Sequence, residues 1–243
     1  MTKTRIHKVI AQSGLMSRRK AEQAIVDGRV KVNGKTIHEL GACIDPDHDT
    51  LTVDHIHVKP IPDQIVILLN KPRQVITSKT DPENRKTVMD LIPPEYKVNP
   101  VGRLDYHSEG LLILTNDGAL ANRLTHPSHG CMKTYLAKIS GYPTQENIKK
   151  WIRGIRLEDG VGQFMKVTVL SQTKTQKSIL QIDVQEGRNR FIRRMLEASG
   201  FSVFRLRRIR IGPFSLGKMP VGEHKILHPD EVRALMKSFN KNS

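Results

Sequence analysis

Gly102-Arg103-Leu104-Asp105-Tyr106-His107-Ser108-Glu109-Gly110, continued by the apolar run Leu111 to Leu114 and the turn Thr115-Asn116-Asp117-Gly118, is the stretch around which this chain is organised. One carboxylate stands among polar and glycine residues at the mouth of a segment that reads as a buried strand. A loop held rigid by such a strand can present a catalytic group without burying it unpaired. Asp105 is therefore the candidate reacting residue. An aspartate ahead of a strand also serves as a plain turn former, and the stretch alone leaves both readings open.

On the C-terminal side, Asp117 is placed to cap a helix carrying Leu120, Ala121 and Leu124. Lys133 to Ile139 alternates as a strand with Tyr135, Ala137 and Ile139 on one face. Tyr135 is either a half-buried strand tyrosine or a flat surface offered to a ligand. Residues 144 to 154 read as a helix around Ile148, Trp151 and Ile152, with the tryptophan as packing, and strands recur at 164–170 and 178–184. On the N-terminal side, Ile65 to Leu69 suits a buried strand closed by Asn70-Lys71-Pro72. Residues 73–95 carry turn signals at Asp81-Pro82 and Pro93-Pro94 around Val88, Leu91 and Ile92. The fold class expected is α+β, with residues 65–243 forming a domain on a large, mainly antiparallel sheet with flanking helices.

Between Gly187 and Gly212 stand Arg188, Arg190, Arg193, Arg194, Arg205, Arg207, Arg208 and Arg210, and no lysine. Guanidinium suits two-pronged contact with phosphate or carboxylate, whereas lysine acts mainly as a mobile point charge. Residues 189–199 read as a helix with Ile192, Met195 and Leu196 inward. Simple alternation along Val203 to Ile211 puts Phe204, Leu206, Arg208 and Arg210 on one face, and Arg205 and Arg207 with Val203, Ile209 and Ile211 on the other.

The first 60 residues form a separate small domain. A helix over 4–13 carries Ile6, Val9 and Ile10 and ends at Gly14; Ser17 caps a second helix, Arg18 to Asp27, with Ala21, Ala24 and Ile25 inward. Arg18, Arg19 and Lys20 stand at its first turn, against the helix dipole, which suggests contact with phosphates or else a solvated face. Gly28 ends the helix, and Asn33-Gly34 joins two short strands in a type I′ hairpin. Lys59-Pro60-Ile61-Pro62-Asp63-Gln64 reads as a semi-rigid linker.

Forty Lys and Arg against 24 Asp and Glu give a formal charge of +16, which calls for a polyanionic partner, nucleic acid above all. A membrane partner is disfavoured: no apolar run approaches about 18 residues and no basic amphipathic helix carries aromatic anchors. The N-terminus shows no secretory signal, and Cys43 and Cys131 lie far apart, so a reducing cytoplasm is expected and a cysteine-based zinc site is not. The histidines form no HExxH pattern, and neither a GxxxxGK[ST] loop nor a GxGxxG after a strand is present, so no metal and no cofactor is expected. A cofactor-free reaction on nucleic acid leaves hydrolysis, transfer or isomerisation.

Ser17-Arg18-Arg19, Ile25 and Gly28-Arg29-Val30-Lys31-Val32-Asn33-Gly34 resemble the S4 RNA-binding domain. That resemblance implies RNA contact through Arg18, Arg19, Lys20 and Arg29. Gly102-Arg103-Leu104-Asp105 with Gly110-Leu111-Leu112 and Thr115 to Gly118, Lys133-Thr134-Tyr135, and Glu186 to Met195 resemble the RsuA/RluB-type ribosomal pseudouridine synthases, as do Asn70-Lys71-Pro72 and Arg85 to Val88. This second resemblance covers nearly the whole chain. It implies an isomerase that converts a uridine of ribosomal RNA to pseudouridine, in the 23S RNA of the large subunit or alternatively in 16S RNA, acting as a monomer in the cytoplasm. Asp105 would be the nucleophile on the ribose or the base, Tyr135 the stacking or proton-handling group, and Arg193, with Arg190 as second choice, the counter-charge. Arg103, Lys133, Arg188, Arg190 and Leu206 would meet the flipped nucleotide. Ser108, Gln74 and Phe191 depart from the family pattern, which has Thr, Gly and Gln at these places. A non-enzymatic ribosome-assembly factor is the competing reading, and a DNA-binding protein the third, although no recognition helix supports the latter.

Overall fold

A computed structural model describes residues 3–58 and 64–241, which separate into two compact units, Met1–Gln64 and Ile65–Ser243. Most of the expected linker, Lys59 to Asp63, lies outside the described residues.

In the first unit the chain runs β1 (Thr4–Arg5), α1 (Ile6–Gln12), α2 (Arg18–Val26), β2 (Val30–Val32), β3 (Lys35–Ile37), β4 (Cys43–Ile44), β5 (Leu51–Val53) and β6 (Ile56–His57). The helix expected from residue 4 begins at Ile6, because Thr4 and Arg5 pair with Ile44 and Cys43 instead. The Ser17 hydroxyl accepts from the Lys20 amide, and Ala21, Ala24 and Ile25 are buried with Ile6 and Ile10. Asn33 and Gly34 take φ of 49° and 80°, as a type I′ hairpin between β2 and β3 requires.

The second unit contains β7 (Val66–Lys71), β8 (Asn99–Val101), β9 (Glu109–Thr115), α3 (Gly118–Thr125), β10 (Lys133–Ser140), α4 (Gln145–Arg153), β11 (Ile155–Leu157), β12 (Gly160–Gly162), β13 (Lys166–Thr173), β14 (Lys177–Val184), α5 (Phe191–Glu197), β15 (Val203–Ile211), β16 (Phe214–Ser215), β17 (His224–Leu227) and α6 (Pro229–Lys241). Its sheet runs β13-β14-β10-β15-β9-β7-β17, with β16 added on β15 and β8 on β9. Every pairing is antiparallel except β9 with β15. β7 and β9 are buried along their whole length, which explains their unbroken apolar character: one face packs Ile67, Leu69, Leu112 and Leu114 under α4 and α5, the other Val66, Leu68, Leu111 and Ile113 under α3 and α6.

Three sequence readings are corrected here. β7 continues through Asn70 and Lys71, both fully buried, where a turn was expected to close it. In α4, Trp151 fills the core against Phe164 and Phe201 and leaves Ile152 exposed at the margin. In β15, bulges opposite Lys138/Ile139 and Thr134/Tyr135 interrupt the alternation, so Arg210 pairs with Thr134 and Phe204 projects into solvent, while Leu206 and Arg208 stay inward.

The parallel β9–β15 contact depends on one glycine. Gly110 has φ of 107°, and a Cβ there would lie 2.2 Å from the Arg208 carbonyl oxygen. Gly110→Ala therefore combines backbone strain with a backbone clash and should cost on the order of 3 kcal/mol. Gly217→Ala, at φ of 56° but with nothing within 4 Å of the new methyl, should cost about 1 kcal/mol. Urea unfolding followed by the fluorescence of Trp151, the single tryptophan, measures both; equal losses would contradict this account.

Candidate active site

Asp105 opens a turn whose four successive carbonyls are each held. Ser108 N–H donates to the Asp105 carbonyl at 2.9 Å, and Gln74 N–H to that of Tyr106 at 2.7 Å. Arg193 donates to the His107 carbonyl at 3.4 Å, and Lys71 Nζ to those of Asp105 and Ser108 at 3.2 and 3.1 Å, with a third bond to Pro72 at 3.0 Å. Gln74 takes a φ of 62°, the left-handed conformation that glycine adopts most readily. Thr77 Oγ1 fixes the preceding residue by donating to the Leu104 carbonyl at 2.8 Å.

The backbone under Asp105 is thus rigid, and its half-buried carboxylate faces a cleft of about 260 Å³ lined also by Arg103, Lys133, Tyr135, Leu206 and Arg208. Among the described residues no hydrogen bond or ion pair engages that carboxylate; Lys71 and Arg193 are cations whose fields it reaches. The Lys71 ammonium is fully buried, and desolvation pushes its pKa down to about 8 although Asp105 and Glu109 pull the other way. In the sequence Lys71 stands only within the Asn70-Lys71-Pro72 motif, and no local signal marks its position beneath the turn.

Arg208 is one of eight arginines in the basic stretch, and nothing in the sequence sets it apart from the others. It is buried at the cleft wall, where Nε donates to the Leu111 carbonyl at 2.8 Å and a terminal nitrogen reaches the Tyr135 hydroxyl and the Arg103 carbonyl, each at 3.4 Å. Its other terminal nitrogen is buried and has no hydrogen-bond partner among the described residues. Tyr135 is 9% exposed, with its ring 5.9 Å from the Arg208 guanidinium carbon. Lys133 donates to the carbonyls of Cys131 and Gln185, and burial lowers its pKa.

The structure does not join Arg193 to Asp105 directly. Arg193 is buried, spans the carbonyls of Val203 and His107, and has no partner for Nε among the described residues. Arg190 lies on the cleft with φ of 47° and reaches Glu197 at 3.8 Å, not Asp105. Arg188, expected to meet substrate, is taken by Glu186 and Asp159 and stacks over Phe191. Asp159 also holds Arg194 at 2.7 Å, so this network fastens the β11–β12 hairpin to the segment leading into α5. In the first unit Arg29 is likewise engaged, forming a two-pronged pair with Asp54, whereas Arg18, Arg19 and Lys20 are exposed and no ion pair engages them among the described residues.

Two family models match the chain: RNA pseudouridylate synthase over residues 65–198 and S4 domain over residues 4–41. The chain is 44% identical to a ribosomal large subunit pseudouridine synthase B of Bacillus subtilis, over 95% of each protein. It is 43% identical to an uncharacterized RNA pseudouridine synthase of Aquifex aeolicus, over 98% of this chain and 96% of that protein. A solved structure described as a pseudouridylate synthase superposes with a TM-score of 0.65 at 27% identity, covering 95% of this chain and 99% of the other.

The buried Lys71 gives a signed pH effect. Its folded pKa near 8 lies below the ordinary lysine value of 10.5, so between these pH values the unfolded chain holds a proton that the folded chain has lost. Stability contributed by this group therefore rises through that window, and the full burial cost is present below it. Relative to Lys71→Met, the wild-type unfolding free energy should gain on the order of 2–3 kcal/mol between about pH 8 and 10.5. Denaturant titrations of both proteins across that range test it; a constant difference would contradict a depressed lysine.

Proposed function

The chain belongs to the RNA pseudouridylate synthase family, and we propose that it isomerises a uridine of large-subunit ribosomal RNA, with Asp105 as the reacting carboxylate. The Bacillus subtilis relative's name supports the large-subunit target. The observation that carries the assignment of Asp105 is its carboxylate, which no hydrogen bond or ion pair engages among the described residues, above a turn pinned by Lys71, Gln74 and Arg193.

Isomerisation breaks the bond from N1 of the base to C1′ of the ribose and forms one from C5 to C1′. The proton on C5 leaves and N1 gains one, so nothing is consumed. A carboxylate that assists cleavage must be ionised and must have an oxygen within reach of the reacting atom, whether it adds to the ribose or to the base. Lys71 and Arg193 supply positive potential without covering the oxygens, a more open arrangement than a direct ion pair.

A cleft of about 260 Å³ suits one nucleotide, so the uridine must leave its stack. Tyr135 stacks on the flipped base with Arg208 fixing its hydroxyl, Leu206 supplies the apolar wall, and Arg103, Lys133 and Arg190 face the backbone phosphates. Arg188 acts through Asp159 and Glu186, shaping the segment rather than touching RNA. Arg18, Arg19 and Lys20 of the first unit add phosphate contacts elsewhere on the RNA. The protein acts as a monomer in the cytoplasm, where its RNA is found.

Asp105→Asn keeps size and hydrogen-bonding shape but removes the nucleophile. It should lower pseudouridine formation by a factor of at least about 1,000 while RNA affinity stays within about twofold. Tyr135→Ala should lose a stacking platform worth about 1–3 kcal/mol, and Tyr135→Phe should retain most of it. Tritium released from C5 of labelled uridine reports turnover, and filter binding reports affinity. Full turnover by Asp105→Asn would remove Asp105 from the chemistry, and full activity of Tyr135→Ala would leave Tyr135 a packing residue.

A further inference from the structure

The sheet of the second unit has a face turned away from the Asp105 cleft. Strand register defines it in rows: Lys166, Asp183, Thr134 and Arg210; then Thr168, Gln181, Leu136, Arg207 and Glu109; then Ser171, Ile179, Lys138 and Arg205; and at the end Thr173, Lys177 and Ser140. Directly paired residues share a face, and Tyr135, Ala137 and Leu206 lie on the opposite one with the core and the cleft.

At β7 and β9 this same side is covered by α3 and α6, whose core takes Leu111 and Ile113. Neither core of the unit takes the side chains of the rows, and Leu136, Ile179 and Gln181 remain half-exposed. The face carries six cations, Lys138, Lys166, Lys177, Arg205, Arg207 and Arg210, against the carboxylates of Asp183 and Glu109. Among the described residues only Arg205 has an ion pair, to Glu109 at 2.7 Å. Arg207 Nε is buried and has no hydrogen-bond partner among the described residues. Phe204, extruded by a bulge, is 48% exposed with the Lys177 ammonium 5.1 Å from its ring centre. None of these residues lines the Asp105 cleft.

Unpaired cations around one exposed aromatic on an open antiparallel sheet match the chemistry of a nucleic acid strand: phosphates meet the charges and a base stacks on the ring. We propose that this face is a second RNA-contact surface, separate from the cleft, which holds a segment of the same RNA remote from the target uridine. The proposal rests on the isomerase reading and sharpens its substrate class: the chain acts on extended or folded RNA large enough to reach both sides of the sheet, and a minimal hairpin engages only the cleft side.

The experiment compares two RNAs, a short hairpin containing the modified uridine and a long large-subunit fragment, in filter binding across a salt series. The variants are the triple substitution Lys138→Gln, Lys166→Gln, Lys177→Gln and the single substitutions Phe204→Ala and Phe204→Leu. For the long RNA, the triple variant should bind at least about tenfold more weakly, with a slope of log K against log salt shallower by about 2 units. Phe204→Ala should weaken it about fivefold or more, and Phe204→Leu should not restore it, because bulk without a π-face does not stack. Hairpin affinity should stay within about twofold, which also shows that the variants are folded. Unchanged binding of the long RNA, or equal weakening of both RNAs, overturns the proposal. Wild-type tritium release from the hairpin reads the isomerase activity separately, so failure of that reading is not mistaken for failure of this one.

Discussion

A buried ammonium held under the Asp105 turn is the interaction on which the site depends. Lys71 sits at the end of β7, fully buried, and spends its three protons on the carbonyls of Pro72, Asp105 and Ser108. Burying a charge this way is costly, as its depressed pKa records. The return is geometric. Those bonds tie the end of β7 to the turn that leads into β9, and they set positive potential beneath a carboxylate that no hydrogen bond or ion pair engages among the described residues. Replacing the lysine with an apolar side chain would remove the burial cost and with it the reason for the turn to keep its shape.

Around that point the sheet works as a frame. The parallel contact between β9 and β15 brings Gly110 against Arg208 and lets the arginine cross from the strand to the Leu111 carbonyl, the Arg103 carbonyl and the Tyr135 hydroxyl. One guanidinium therefore fixes groups from the Asp105 stretch and from β10 on the same wall. Guanidinium is suited to the task because its donors diverge in a plane, whereas an ammonium of equal charge satisfies a single cluster of acceptors, as Lys71 does.

What could be read from the sequence follows from the range of the forces involved. Local signals were sufficient for the Ser17 and Asp117 caps, the Asn33-Gly34 hairpin, the strand bearing Tyr135 and the turn bearing Asp105, since each is decided by residues a few positions apart. Pairings across long stretches were not legible. Arg29 looked available for RNA until Asp54, 25 residues on, claimed it, and Arg188 until Asp159, 29 residues back, did the same. The pattern of β15 misled for a related reason. Its bulges are set by the register against β10, and a strand read alone shows only strict alternation. Lys71 closed a motif in the sequence and gave no sign of its depth, because burial is a property of the elements packed around it.

The central claim is that this chain writes pseudouridine into large-subunit ribosomal RNA, and pseudouridine mapping at nucleotide resolution tests it most directly. Ribosomal RNA from cells lacking the protein should miss pseudouridine at a discrete position of the large-subunit RNA. The modification should return with the wild-type chain and not with Asp105→Asn. An identical map with and without the protein would contradict the account.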